Sequence, residues 1–199
     1  MKMISRSRKH HYVASVGIFL IAALLIVGTV GCGGTTTKYS LTMAANPVAG
    51  GTATDLNGTS PYTAGSVVNI KAVANITGGY GFANWTAPAG TFGNYTAAIT
   101  TFTMPAQNVT VTANFVSVYY LTMAVSPVGH GTATDLTGTS PYAAGTVVNI
   151  QAVGSSTGNG TVYLFLNWSA PAGTFGNATA PTTTFTMPAQ NVTVTANFT

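Results

Sequence analysis

The chain has 199 residues, only 4% of them charged, and a formal net charge of +4. Four of its six cationic side chains (Lys2, Arg6, Arg8 and Lys9) fall within the first nine residues, and beyond Gly31 Lys38 and Lys71 balance Asp55 and Asp135. The basic character therefore belongs to the amino terminus alone. A nucleic-acid partner is excluded for the remainder, because neutralising a phosphate backbone needs clustered Lys and Arg.

The first element in chain order is an export signal, predicted as a hydrophobic helix over residues 1–31. Lys2–His11 is a positive leading segment, Val16–Val27 is apolar or small throughout, and Thr29-Val30-Gly31-Cys32 closes the run. That order of charge, apolar stretch and small residues is the layout of a secretory signal peptide. Cys32 follows small residues directly and resembles the cysteine of a bacterial lipobox, in which the peptidase cuts before the cysteine and the cysteine carries the lipid. Cys32 is thus the candidate lipidation residue, although Thr29 stands where that motif prefers Leu. The alternative is an uncleaved anchor over residues 12–30, close to the shortest stretch that spans a bilayer. Both place the rest of the chain outside the cytoplasm, with the membrane as a partner. Cys32 is the only cysteine, so the chain can form no internal disulfide. Residues 32–38, rich in Gly and Thr, read as a tether.

The remainder is written twice. TTFTMPAQNVTVTANF occupies Thr100–Phe115 and returns unchanged at Thr183–Phe198. A fixed period of this kind defines repeated structural units, here domains over 39–115 and 119–199 joined by residues 116–118. The copies align without gaps to Val73 and Val153; the second then gains three residues within Ser156–Tyr163. Apolar residues recur with a period of two, which marks half-buried strands. Leu41 and Met43 flank Thr42. Val68, Ile70 and Ala72 alternate with Asn69 and Lys71, and Val109, Val111, Ala113 and Phe115 with Thr110, Thr112 and Asn114. Turns fall between these runs at 46–51, 60–65 and 87–90, each with Pro and Gly. The fold class expected is all-β: two tandem small sandwich or roll domains of about six strands each. Phe102, Phe115 and Trp85, with Tyr39 and Tyr62 near the rim, are the core candidates, matched by Phe185, Phe198, Trp168, Tyr119 and Tyr142. Val116-Ser117-Val118 contains no Gly or Pro and continues the alternation, so strand should run almost unbroken between the domains.

These residues carry a family resemblance. Tyr-x-Leu-Thr-Met, Ala-Gly-x-Val-Val-x-Ile, Phe-x-x-Trp and Thr-Phe-Thr-Met-Pro-Ala-x-Asn-Val-Thr-Val-Thr-Ala-Asn-Phe together resemble the divergent internalin B-type repeat, over nearly all of 39–198. The resemblance implies an extracellular all-β module of bacterial secreted and surface proteins, often in tandem and often a spacer or adhesion element. It implies no catalytic residue and no cofactor.

The side-chain inventory points the same way. Beyond the signal there are two carboxylates, one histidine and two lysines, and Asp55 and Asp135 occupy equivalent places in different copies. No catalytic set and no metal-ligand set is expected from these. Trp85 and Trp168 leave one alternative open. On a regular strand Phe82 and Trp85 point to opposite faces. Either a bulge turns both inward, so that Trp closes the end of the core, or Trp faces solvent. In the second case Tyr80, Trp85, Tyr163 and Trp168 form a candidate ligand platform for stacking a sugar ring of cell-wall or host glycans. A partner protein on the surface is the other binding class. Ten Asn-x-Ser/Thr triplets, Asn57, Asn94, Asn108 and Asn191 among them, are ordinary in so Thr-rich a chain.

Overall fold

A computed structural model describes residues 36–58 and 60–199. The export signal and Cys32 lie outside the described residues.

The described chain is all-β. The first copy contributes β1 (Lys38–Tyr39), β2 (Leu41–Asn46), a single 3₁₀ turn (Val48–Gly50), β3 (Gly51–Asp55), β4 (Tyr62–Thr63), β5 (Val67–Ala74), β6 (Tyr80–Thr86), β7 (Thr91–Phe92), β8 (Ile99–Thr103) and β9 (Val109–Tyr119). The second contributes β10 (Leu121–Ser126), β11 (Gly131–Asp135), β12 (Tyr142–Ala143), β13 (Val147–Gly154), β14 (Phe165–Ser169), β15 (Thr174–Phe175), β16 (Thr182–Thr186) and β17 (Val192–Phe198). Counting strands of five residues or more gives six per copy; two-residue strands make up the rest.

Each copy is two sheets around one core. In the first, β3-β5-β8-β7 form an antiparallel sheet, and β9 lies between β2 and β6 in the other. The second copy repeats both sheets as β11-β13-β16-β15 and β10-β17-β14. The sheets meet through the residues that alternation picks out: Val68, Ile70 and Ala72 from β5, Phe102 from β8, and Val109, Val111, Ala113 and Phe115 from β9 are all buried. Tyr62 is buried with them and Tyr39 packs at the rim. Each fully buried large apolar side chain stabilises the fold by about 1.5–3 kcal/mol, a contribution on which a domain this small depends.

Closure of each copy is non-local. β2 pairs parallel with β9, Leu41 opposite Val109 and Met43 opposite Val111, so the first long strand of the unit is zipped to its last. The period-two pattern makes Val109–Phe115 eligible as an exposed edge strand, but neighbours on both sides place it at the centre of its sheet. The closing motif is now explicable residue by residue. Met104 is buried beneath the turn, and Asn108 Oδ1 accepts the Ser40 N–H at 2.8 Å, fixing where β2 begins. Asn114 donates to Asn84 Oδ1 at 2.8 Å and to Thr86 Oγ1 at 3.1 Å across the outer face. Asn191 and Asn197 repeat these roles toward Tyr120, Asn167 and Ser169.

The joint between copies is strand. β9 runs through residues 116–118 to Tyr119, and its last two residues pair with β12 as β1 pairs with β4: Tyr119 faces Tyr142 as Tyr39 faces Tyr62. The last strand of the first copy is therefore also the first strand of the second. At the other boundary Lys38, expected in the tether, belongs to β1.

Gly90 marks a turn where glycine is obligatory on two counts. Its φ is +90°, and a Cβ there would collide with the Phe102 ring and come within 2.7 Å of the Thr103 carbonyl oxygen. Gly173 repeats the arrangement against Phe185.

Candidate functional site

The tryptophan alternative resolves toward the core. The β6–β9 register shifts between Phe82 and Asn84, leaving Ala83 as the extra residue of a bulge. The bulge brings Phe82 and Trp85 to the same side, with ring centroids 5.5 Å apart, and Phe82 packs edge-on to Phe115 at 6.0 Å. Trp85 is 1% exposed and Trp168 3%. Each indole N–H is also committed: Trp85 Nε1 donates to the Ala97 carbonyl and Trp168 Nε1 to the Ala180 carbonyl, both at 3.0 Å. A buried ring offers no face to a sugar, so the platform of Tyr80, Trp85, Tyr163 and Trp168 does not exist as a surface. The indoles instead pin the loops between β7 and β8 and between β15 and β16, assisted by the turn in which Asn94 Oδ1 accepts from the Thr96 N–H and hydroxyl.

The two carboxylates are tied inside their own copies. Asp55 Oδ2 accepts the Tyr62 hydroxyl at 2.6 Å, while Oδ1 accepts the N–H groups of Asn57 and Gly58 at 2.9 and 3.2 Å. Asp135 does the same for Tyr142 at 2.6 Å and for the Thr137 N–H at 2.9 Å. Burial, then the hydrogen bond to Asp135 and its negative charge, push the Tyr142 phenol up to about 12. Among the described residues no three His, Cys, Asp or Glu side chains are grouped to hold a metal ion, and no helix is long and apolar enough to cross a membrane.

Tyr80 and Tyr163, equivalent by their distance from Trp, lie in different surroundings. Tyr163 is stacked on His130, centroids 3.7 Å apart and planes within 12°, and His130 Nδ1 is 2.7 Å from the Thr199 backbone oxygen. In the first copy Gly50 stands in place of His130. A Cβ there would lie 2.6 Å from Phe115 Cβ, so Gly50 has no room for a side chain that could cover Tyr80. The three-residue insertion beside Tyr163 forms a small hairpin, with Ser156 bridged to Val162.

An open cleft of about 430 Å³ lies at the junction of the copies. Its walls are the β5–β6 loop (76–79) with Tyr80, the end of β9 together with Tyr120 (117–120), and Asn191. Tyr120 is 46% exposed there. Sequence reasoning passed over Tyr119, Tyr120 and Asn191 as site residues because it looked for aromatics near Trp. The readable signal was a difference between copies: Tyr120 occupies the place of Ser40, and His130 that of Gly50.

Fold and surface together define a class: a tandem-repeat β protein whose copies share a strand and whose shared motif is architectural. The family model for the divergent InlB B-repeat domain matches residues 29–118 and again 121–199. The chain belongs to the divergent InlB B-repeat family. Neither the curated proteins nor the solved structures include a match.

Proposed function

We propose that the chain is a non-enzymatic lipoprotein displayed outside the cytoplasm, whose paired repeats serve as a stalk or adhesion module. The observation that carries this reading is β9. One continuous strand serves two cores, with Tyr80 opposite Ser117 on one side and Tyr142 opposite Tyr119 on the other. A joint of paired strand resists bending better than a Gly/Ser linker, which is what a spacer needs. InlB-type repeats are typical of bacterial surface proteins, compatible with an extracellular location. The non-enzymatic part is supported by the commitment of Asp55 and Asp135 to tyrosine hydroxyls and turn N–H groups. Membrane attachment through Cys32 rests on its place after the apolar segment. Partners are the membrane and, at the far end, a glycan or another surface protein; nucleic acid is not among them.

The test uses the full chain expressed in a bacterium. Metabolic labelling with a radioactive fatty acid should mark the wild type and not Cys32→Ala. Protease added to intact cells, or to spheroplasts where an outer membrane intervenes, should remove the repeats. Val118→Pro, which deletes the N–H donated to the Gly79 carbonyl at 2.8 Å, should let the copies reorient independently in NMR relaxation while both retain their amide dispersion. Repeats protected from protease in both preparations, or copies already independent in the wild type, would overturn the reading.

A further inference from the structure

We infer that the cleft at the junction of the copies is a binding site for a neutral saccharide, a site that neither copy possesses alone. Its walls come from the first copy (residues 76–80), from the shared strand and its continuation (117–120), and from the second copy (Asn191). The volume of about 430 Å³ falls in the range of small-ligand sites, roughly 300–1,000 Å³.

Lining chemistry selects the ligand class. Beyond residue 35 the only charged side chains are those of Lys38, Asp55, Lys71 and Asp135, and none of them lines the cleft. An ionic ligand would lose its hydration there and meet no opposite charge. A wholly apolar ligand would cover the Ser117 hydroxyl and the Asn191 NH₂ group and give them no partner, which is also unfavourable. Tyr80, Tyr119 and Tyr120 add flat apolar faces that end in phenol hydroxyls. A neutral sugar has both matching parts, a C–H face to lie on a ring and hydroxyls to meet the amide and alcohols. Asn191 is already oriented for this: its Oδ1 accepts the Tyr120 N–H at 2.9 Å, which holds the amide plane and leaves the NH₂ group to donate.

Differences between the copies concentrate at this place. Tyr120 stands where the first copy has Ser40, so the ring is an addition at the junction and is not required by the fold. Tyr163 is covered by the stacked His130, whereas among the described residues no aromatic ring lies against Tyr80. Tyr80, which borders the cleft, is half-buried against its core as Tyr163 is, but carries no such stacked ring. This site needs both copies in register and so shares the paired joint with the stalk reading, but it does not depend on lipidation, which could fail while saccharide binding stood.

Saturation-transfer NMR on the full chain, held in a detergent without a sugar headgroup, tests it with chitobiose, cellobiose and maltose as probes. At least one should receive saturation. Tyr120→Ser, which restores the residue the first copy carries and so preserves the fold, should weaken that binding about three- to tenfold, the scale expected for losing one aromatic contact. Tyr80→Ser should do the same where thermal unfolding shows the variant intact, and Tyr120→Ser alone decides if it is not. Tyr95→Ser, an exposed tyrosine on the β7–β8 loop, should leave binding unchanged. Three silent probes, undiminished transfer in Tyr120→Ser, or loss in Tyr95→Ser would each overturn the inference.

Discussion

Phe82 and Trp85 sit three residues apart on one strand and still bury their rings on the same side, 5.5 Å from one another. Ala83 makes this possible by occupying the bulge between Phe82 and Asn84 opposite β9. Removing Ala83 removes the bulge and leaves Phe82 and Trp85 two positions apart on a regular strand, a spacing that keeps both rings on one face. The deletion should therefore cost less than losing a core aromatic, which is worth roughly 3–5 kcal/mol, and leave Trp emission at its buried wavelength. Urea unfolding and fluorescence measure both. A shift to longer wavelength would mean that the bulge does more than set which way the two rings face.

Burial of the indoles predicts a second result. Trp85→Ala and Trp168→Ala should each destabilise by about 3–5 kcal/mol, and Trp→Phe by less, since it keeps most of the apolar contact but leaves the Ala97 or Ala180 carbonyl without its N–H donor. Acrylamide should quench wild-type fluorescence poorly. Efficient quenching would contradict exposures of 1% and 3%.

The Tyr142–Asp135 pair predicts an alkaline limit. The Tyr142 phenol is raised from 10.0 to about 12, so the folded state holds this proton more tightly than the unfolded chain does. Its contribution to stability is complete below the unfolded value and is lost as pH rises through the folded one. Thermal unfolding followed from about pH 9 to pH 12 should show a decline across that window. Tyr142→Phe should be less stable at neutral pH and show a shallower decline; an equal slope in both proteins would assign the loss to other groups.

Asn108 and Asn191 set the starts of β2 and β10 through one hydrogen bond each, to Ser40 and Tyr120. Replacing either by Ala should cost about 0.5–1.5 kcal/mol, and replacing Gly90 by Ala should cost more, at least about 1–3 kcal/mol for its φ of +90°, with the Phe102 collision added. Chemical denaturation of the three variants gives the order directly.

How much of this was legible beforehand depends on the range of each interaction. Val109, Val111, Ala113 and Phe115 announced a strand, and its buried face, because alternation is local. Continuity through Val116-Ser117-Val118 was readable for the same reason. The parallel pairing of Leu41 with Val109 was not, since nothing in either strand specifies a partner 68 residues away. The bulge at Ala83 was one of two open choices, because one extra residue leaves the composition of the strand unchanged while inverting everything beyond it. The role of Asn108 was hidden for another reason: its partner is the backbone N–H of Ser40, which any residue would supply. The junction cleft required the copies to be compared for their differences, Tyr120 against Ser40 above all, when their identity drew the eye.

β9 carries a last consequence, for how such a chain resists attack. Proteases enter modular proteins at the unpaired segment between modules, where a stretch of backbone can be drawn into an extended active site without disturbing either fold. Here that segment is already extended, and its N–H and C=O groups are engaged, Val118 with Gly79 and Tyr119 opposite Tyr142. Cutting between the copies requires opening the edge of both cores at once, so the boundary that separates the repeats in sequence is among the least accessible places to separate them in the protein.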